Sequence, residues 1–129
     1  MFIAKSAFSG FSVKDIKEAK SFYAETLGVK VDEDEMGLTL HLLGGATVFA
    51  YPKNDYEPAT YTVLNFVVDD IDEAMNELKE KGVTFEHYNN PEMPQDEKGV
   101  LRGIKAGMGP DIAWFKDPSG NVSSVLQEQ

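Results

Sequence analysis

The sequence predicts a single α+β domain over residues 1–129, built from two paired βαβββ units whose mixed sheets curl around a cavity. Three observations carry that expectation. The pattern V-x-D-I-x-E-A occurs twice, as Val13-Lys14-Asp15-Ile16-Lys17-Glu18-Ala19 and as Val68-Asp69-Asp70-Ile71-Asp72-Glu73-Ala74. A second landmark follows each copy in the same order, Gly28-Val29-Lys30-Val31 and then Gly82-Val83-Thr84-Phe85. Hydrophobic residues make up 42% of the chain, enough for a core at this length, and there is no cysteine to staple one. The first unit is expected over residues 1–52, a linker over 53–60 and the second unit over 61–129.

Each unit opens with a strand, residues 7–13 and then 61–68. Asp15 and Asp70 follow as N-caps, each with a Glu three residues on, Glu18 and Glu73, in the spacing of a capping box. The first helix buries a stripe of Ile16, Ala19, Tyr23 and Leu27, and the second a stripe of Ile71, Ala74, Met75 and Leu78. Gly28 and Gly82 end them, because glycine accepts the left-handed conformation that closes a helix. Three strands then complete the first unit at 29–34, 38–43 and 46–52, with turns at Met36-Gly37 and Gly44-Gly45. In the second unit strands are expected at 83–88, 111–116 and 122–127, the last two joined by the turn Asp117-Pro118-Ser119-Gly120-Asn121. Residues 89–110 read as a long loop rich in Pro, Gly and charge, a length typical of binding loops and lids.

Strand alternation divides each sheet into a face for its helix and a face for the cavity. Leu38, Leu40 and Leu42 fall on the helix side, leaving Thr39 and His41 inward. Leu64, Phe66 and Val68 likewise leave Tyr61, Val63, Asn65 and Val67 inward, and Thr47, Phe49 and Tyr51 form a further inward set. Trp114 and Phe115 point to opposite faces, one core and one toward the cavity.

Charge narrows the partners. Twenty-two acidic against 12 basic residues give a net charge of -10, which repels phosphate backbones and anionic membrane surfaces. Neither nucleic acid nor membrane is therefore expected, while a neutral or cationic small ligand is compatible. No apolar run is long enough to span a bilayer, and the first residues lack a signal-peptide core, so a cytoplasmic location is expected. Asn121-Val122-Ser123 fits a glycosylation sequon and is read as chance in such a chain.

The pattern Val13-x-Asp15-Ile16-x-x-Ala19-x-x-Phe22-Tyr23-x-x-x-Leu27-Gly28 resembles the first unit of the vicinal oxygen chelate superfamily. That superfamily includes glyoxalase I, extradiol dioxygenases, and fosfomycin- and bleomycin-resistance proteins. The ending from Ile112 through Asn121 is similar to its closing strand and turn. The resemblance implies the paired fold and often a homodimer, and in the enzymes a divalent metal held by His and Glu from four strands. Counted from Asp15, Asp70 and Pro118, those ligand positions fall on Phe8, Phe49, Val63 and Ser124. Phenylalanine and valine have no donor atoms, and a lone serine is a weak ligand. No metal or other cofactor is expected, and among the members named the resemblance points to the metal-free, drug-sequestering bleomycin-resistance type.

The expected function is therefore binding or sequestration of a small, partly aromatic or cationic molecule, with Phe8, Thr39, His41, Phe49, Tyr51, Tyr61, Val63, Asn65, Trp114 and Ser124 as candidate contacts. Each has a plainer reading. The rings are able to fill the cavity outright, and the plainer reading of His41, a solvent-exposed strand histidine near a sheet edge, stands ahead of the functional one. His87 falls on the helix face or past a strand end, and Asp32-Glu33-Asp34-Glu35 reads as a charged edge strand protected from pairing. An enzyme with a relocated metal or with His41 as a base, and a filled module acting only in a larger assembly, are the alternatives.

Overall fold

Asp15 and Asp70 set the start of the two principal helices. In the computed structural model, which describes all of Met1–Gln129, each adopts an extended backbone and accepts at Oδ1 the amide three residues on, Glu18 N and Glu73 N, both at 3.0 Å. The chain divides into two units, Met1–Pro58 and Ala59–Gln129.

The first unit runs β1 (Ser9–Val13), α1 (Ile16–Ser21), β2 (Lys30–Glu33), β3 (Leu38–His41) and β4 (Thr47–Pro52). Its sheet has the order β1-β4-β3-β2, with β1 parallel to β4 and the other pairs antiparallel. Phe11, Val13, Leu38, Leu40, Val48 and Ala50 are buried on one face, with Ala19 and Tyr23 of the helical segment. The helix expected to continue to Leu27 instead widens into a π-helical turn, Phe22–Thr26, closed by Leu27 N–H on Phe22 O at 2.9 Å. That turn leaves Tyr23 fully buried, edge-on to both Phe11 and Phe22. Gly28 then takes φ +72°, as a helix terminator requires.

The second unit runs β5 (Thr62–Val67), α2 (Ile71–Glu80), β6 (Leu101–Arg102), α3 (Gly103–Ala106), β7 (Asp111–Lys116) and β8 (Val122–Gln127). Its sheet repeats the arrangement as β5-β8-β7-β6, again with the first strand parallel to the last. Ile71 and Met75 of α2 are buried, as are Leu64, Phe115 and Val125 of the sheet. Phe115 stacks at 6.5 Å on Phe66 and meets Phe85 edge-on at 5.9 Å.

Several expected boundaries move. The strand expected at 83–88 is not formed: only Phe85 bridges the sheet, to Phe115. Its place at the edge is taken by the two-residue β6, which lies with α3 inside the stretch expected to be loop. The first strand begins at Ser9, so Phe8 lies outside it. The most consequential shift is a bulge in β5. Thr62 pairs with Val122 but Leu64 pairs with Ser123, so Val63 is the extra residue. A bulge breaks the two-residue period. Thr62, opposite Val122, takes the open face, and the inward position expected for Tyr61 is lost. Tyr61 precedes β5 and is 70% exposed.

Candidate functional site

The face of the first sheet turned away from α1 carries the densest set of candidate residues. Pairing register places Gly10, Phe49, Thr39 and Asp32 in one row across the four strands. The next row holds Thr47, His41 and Lys30. Phe49 and Tyr51 lie nearly parallel, 16° between ring planes and 5.8 Å between centroids, and both are half-buried. Gly10 makes room for them: a Cβ there would meet Phe49 O at 3.2 Å and the Tyr51 ring at 3.8 Å. His41 Nε2 lies 2.7 Å from Asp32 Oδ2. Thr39, His41, Phe49 and Tyr51 thus share one surface, while Phe8, 70% exposed ahead of β1, does not belong to its strands.

The corresponding face of the second sheet is built differently. Asn65, Ser124 and Trp114 form one row. Ser124 is fully buried and donates to Asn65 Oδ1 at 2.5 Å. Trp114 is largely covered and meets Tyr88 edge-on at 5.7 Å. Burial, with some help from the charge of Glu86, raises the Tyr88 phenol above its usual range. Val63 is half-buried at the bulge.

The 89–110 stretch is pinned by polar side chains whose partners are distant in sequence. Gln95 donates to the carbonyls of Glu86 and Gly99 and accepts from Tyr88 N–H. Arg102 forks onto Asp72 of α2 at 2.8 and 3.1 Å and reaches Asp96 at 2.9 Å. The guanidinium, aided by Lys98, holds the Asp72 carboxyl down to about 2 against the cost of its partial burial. Burial alone would raise Asp96, but the Val100 amide, Arg102 and the Lys98 amide outweigh it and keep that carboxyl low. Sequence reasoning had no signal for this network beyond the richness of the loop in charge. His87 is exposed beside the loop, where it borders an open recess of about 380 Å³ with Asn89, Asn90, Pro91, Pro94 and Gln95.

At the positions where the resemblance places metal ligands stand Phe8, Phe49, Val63 and Ser124. Only Ser124 has a donor atom, and it is engaged with Asn65. No group of three or more His, Cys, Asp or Glu side chains stands together in a way that could hold a metal ion. The residues present do not fit the enzymes' metal.

Two βαβββ repeats, each with a helix on one face of a four-stranded mixed sheet, define a class of small paired-repeat α+β proteins. The family sequence model of the glyoxalase/bleomycin resistance protein/dioxygenase superfamily matches residues 7–124, and the chain belongs to that superfamily. Solved structures agree. The chain is 26% identical to TnmS3, an antibiotic-binding protein from Streptomyces sp. CB03234, with a TM-score of 0.67 and 99% of this chain and 100% of that one covered. A glyoxalase/bleomycin resistance protein/dioxygenase superfamily member from Sphaerobacter thermophilus is also 26% identical, with a TM-score of 0.65 and coverage of 95% and 98%. The fosfomycin resistance protein FosX from Listeria monocytogenes shares the fold at 13% identity, with a TM-score of 0.67 and coverage of 99% and 96%. No curated protein matches the chain.

Proposed function

We propose that this protein binds or sequesters a small, partly aromatic or cationic molecule without a metal, as a cytoplasmic homodimer. The observation that carries the reading is the set of apolar side chains at three of the four positions where the resemblance places metal ligands, Phe8, Phe49 and Val63, with Phe49 lying beside Tyr51 on an open sheet face. Flat or cationic ligands are held by such rings through stacking and cation–π attraction. The net charge of -10 favours a cation over an anion. The description of TnmS3 as an antibiotic-binding protein supports the same reading. Exposed Phe2, Ile3, Phe8 and Val67 support self-association, which light scattering at micromolar concentration measures directly.

Trp114 is the chain's single tryptophan and gives a direct readout of binding. The test titrates bleomycin and a panel of planar aromatic compounds, cationic and neutral, following tryptophan fluorescence and thermal unfolding with and without EDTA. At least one compound should bind saturably, indifferent to EDTA, and stabilise the fold by about 2.7 kcal/mol at a hundredfold excess over Kd. Silence across the panel, or binding only after zinc or manganese is added, overturns the reading. A second reading, His41 as a general base, has its contact with Asp32 behind it. Turnover of a panel compound, abolished by His41→Gln, would favour that reading.

A further inference from the structure

The contact between Asp32 and His41 has consequences for which ligand the first unit selects. With Nε2 at 2.7 Å from the carboxylate, the neutral imidazole places its proton on Nε2 and donates it to Asp32. Nδ1 is then a lone-pair acceptor, and no group of the unit bonds it. A carboxylate behind an imidazole fixes its tautomer and leaves the other nitrogen as the acceptor. His41 is partly open, its side chain 35% exposed. Its surroundings are polar on one side and aromatic on the other. Lys30 stands directly opposite on β2, exposed, and Thr47 opposite on β4. Thr39 and Phe49 lie one row along, with Tyr51 beyond them.

We propose that His41, held by Asp32, is the polar anchor of a ligand site on the open face of the first unit, accepting the hydroxyl of a planar phenol whose ring lies on Phe49 and Tyr51. This deepens the small-molecule reading above and rests on it. The site asks for three things together. Nδ1 needs a hydrogen-bond donor, and the more acidic that donor the stronger the bond to a carboxylate-backed imidazole. The ammonium of Lys30 favours the partial negative charge that builds on the donor's oxygen. The parallel rings ask for a flat apolar body. A phenol satisfies all three. A cationic N–H donor meets the first and the last but faces the ammonium of Lys30 across the strand pair. Asp32 is a positioning residue in this arrangement, acting on the ligand through His41.

The experiment is calorimetric titration of the full chain with 7-hydroxycoumarin and with 7-methoxycoumarin, which differ only in the methyl group that removes the donor. The hydroxyl compound should bind roughly tenfold or more tightly, as expected for a hydrogen bond to a charged dyad. His41→Leu and Asp32→Asn should erase that preference, bringing the affinities for the two compounds together. His41→Gln, whose amide oxygen is an acceptor, should restore part of it, and Phe49→Ala should weaken both compounds alike. Circular dichroism confirms that each variant is folded. Equal affinities in the native protein, a preference that survives His41→Leu, or failure of both coumarins to bind overturns the assignment. The broader small-molecule reading falls only if the whole aromatic panel also fails.

Discussion

The two units share one skeleton and use their polar side chains in opposite ways. In the first, the face away from the helix carries Thr39, His41 and Asp32 beside a pair of parallel rings, and its connections are short turns. In the second, the polar groups are consumed within the fold. Ser124 is bonded to Asn65, Arg102 joins α2 to the long connection, and Asp117 accepts the amides of Ser119 and Asn121. The difference teaches where an unbonded functional group is left over. Repeating a fold element supplies two sheets, and the copy that carries no long insertion to anchor keeps its surface chemistry available.

The largest effect tests how far the two cores are equivalent. Tyr23 and Phe115 are each fully buried among other rings. Tyr23→Ala and Phe115→Ala should each destabilise by about 3–5 kcal/mol in urea unfolding. Costs that differ by more than a factor of two would show that one unit dominates the stability.

An intermediate effect concerns the clasp found only in the second unit. Asp72 has a carboxyl held at about 2, below the ~3.9 of an unfolded chain, so its contribution is complete above about pH 4 and is lost as pH falls toward 2. Its side chain is 42% exposed, so solvent screening limits the contribution to about 1 kcal/mol or less. Urea unfolding of the native protein and Asp72→Asn should differ at pH 6, with the gap narrowing as pH falls toward 2. A gap of the same size at pH 6 and pH 2 would mean that Asp72 acts through something other than its charge.

The smallest effect has the opposite sign. Ser123 Oγ is buried without a hydrogen-bond partner, on the face that also holds Leu64 and Phe115. Leaving a hydroxyl unsatisfied there is unfavourable, so Ser123→Ala should raise stability by up to about 1 kcal/mol. A loss on that substitution would mean that the hydroxyl bonds an internal water.

The paired fold was legible because its landmarks are local. A capping Asp, an apolar stripe and a terminating Gly lie within one helix and occur in both copies. Alternation also placed Thr39, His41 and Phe49 correctly on one face, since β3 and β4 keep an unbroken period. Where the period breaks, the reading went astray: the bulge at Val63 displaced Tyr61, and Val83 and Phe85 alternate like a strand yet form a single bridge. β6 is two residues long and carries no periodic signal at all. Asp32 read as part of a solvated acidic edge, because its relation to His41 depends on the register of a hairpin. Ser124 and Asn65 meet across 59 residues of sequence, a distance no local pattern spans.

The turn at Asp117 also bears on how the protein should be made. Asn121 is 1% exposed, its amide nitrogen directed at Asp117 Oδ2 at 3.3 Å and its oxygen accepting the Ala59 N–H at 3.0 Å. In the folded protein the nitrogen that a glycosyltransferase would modify is already inside a closed knot. A eukaryotic secretory host would meet the Asn-Val-Ser acceptor before that knot closes, and a sugar attached there would keep the turn from forming. Bacterial production, or a Ser123→Ala control that removes the acceptor sequence in a secretory host, separates true misfolding from an artefact of the expression system.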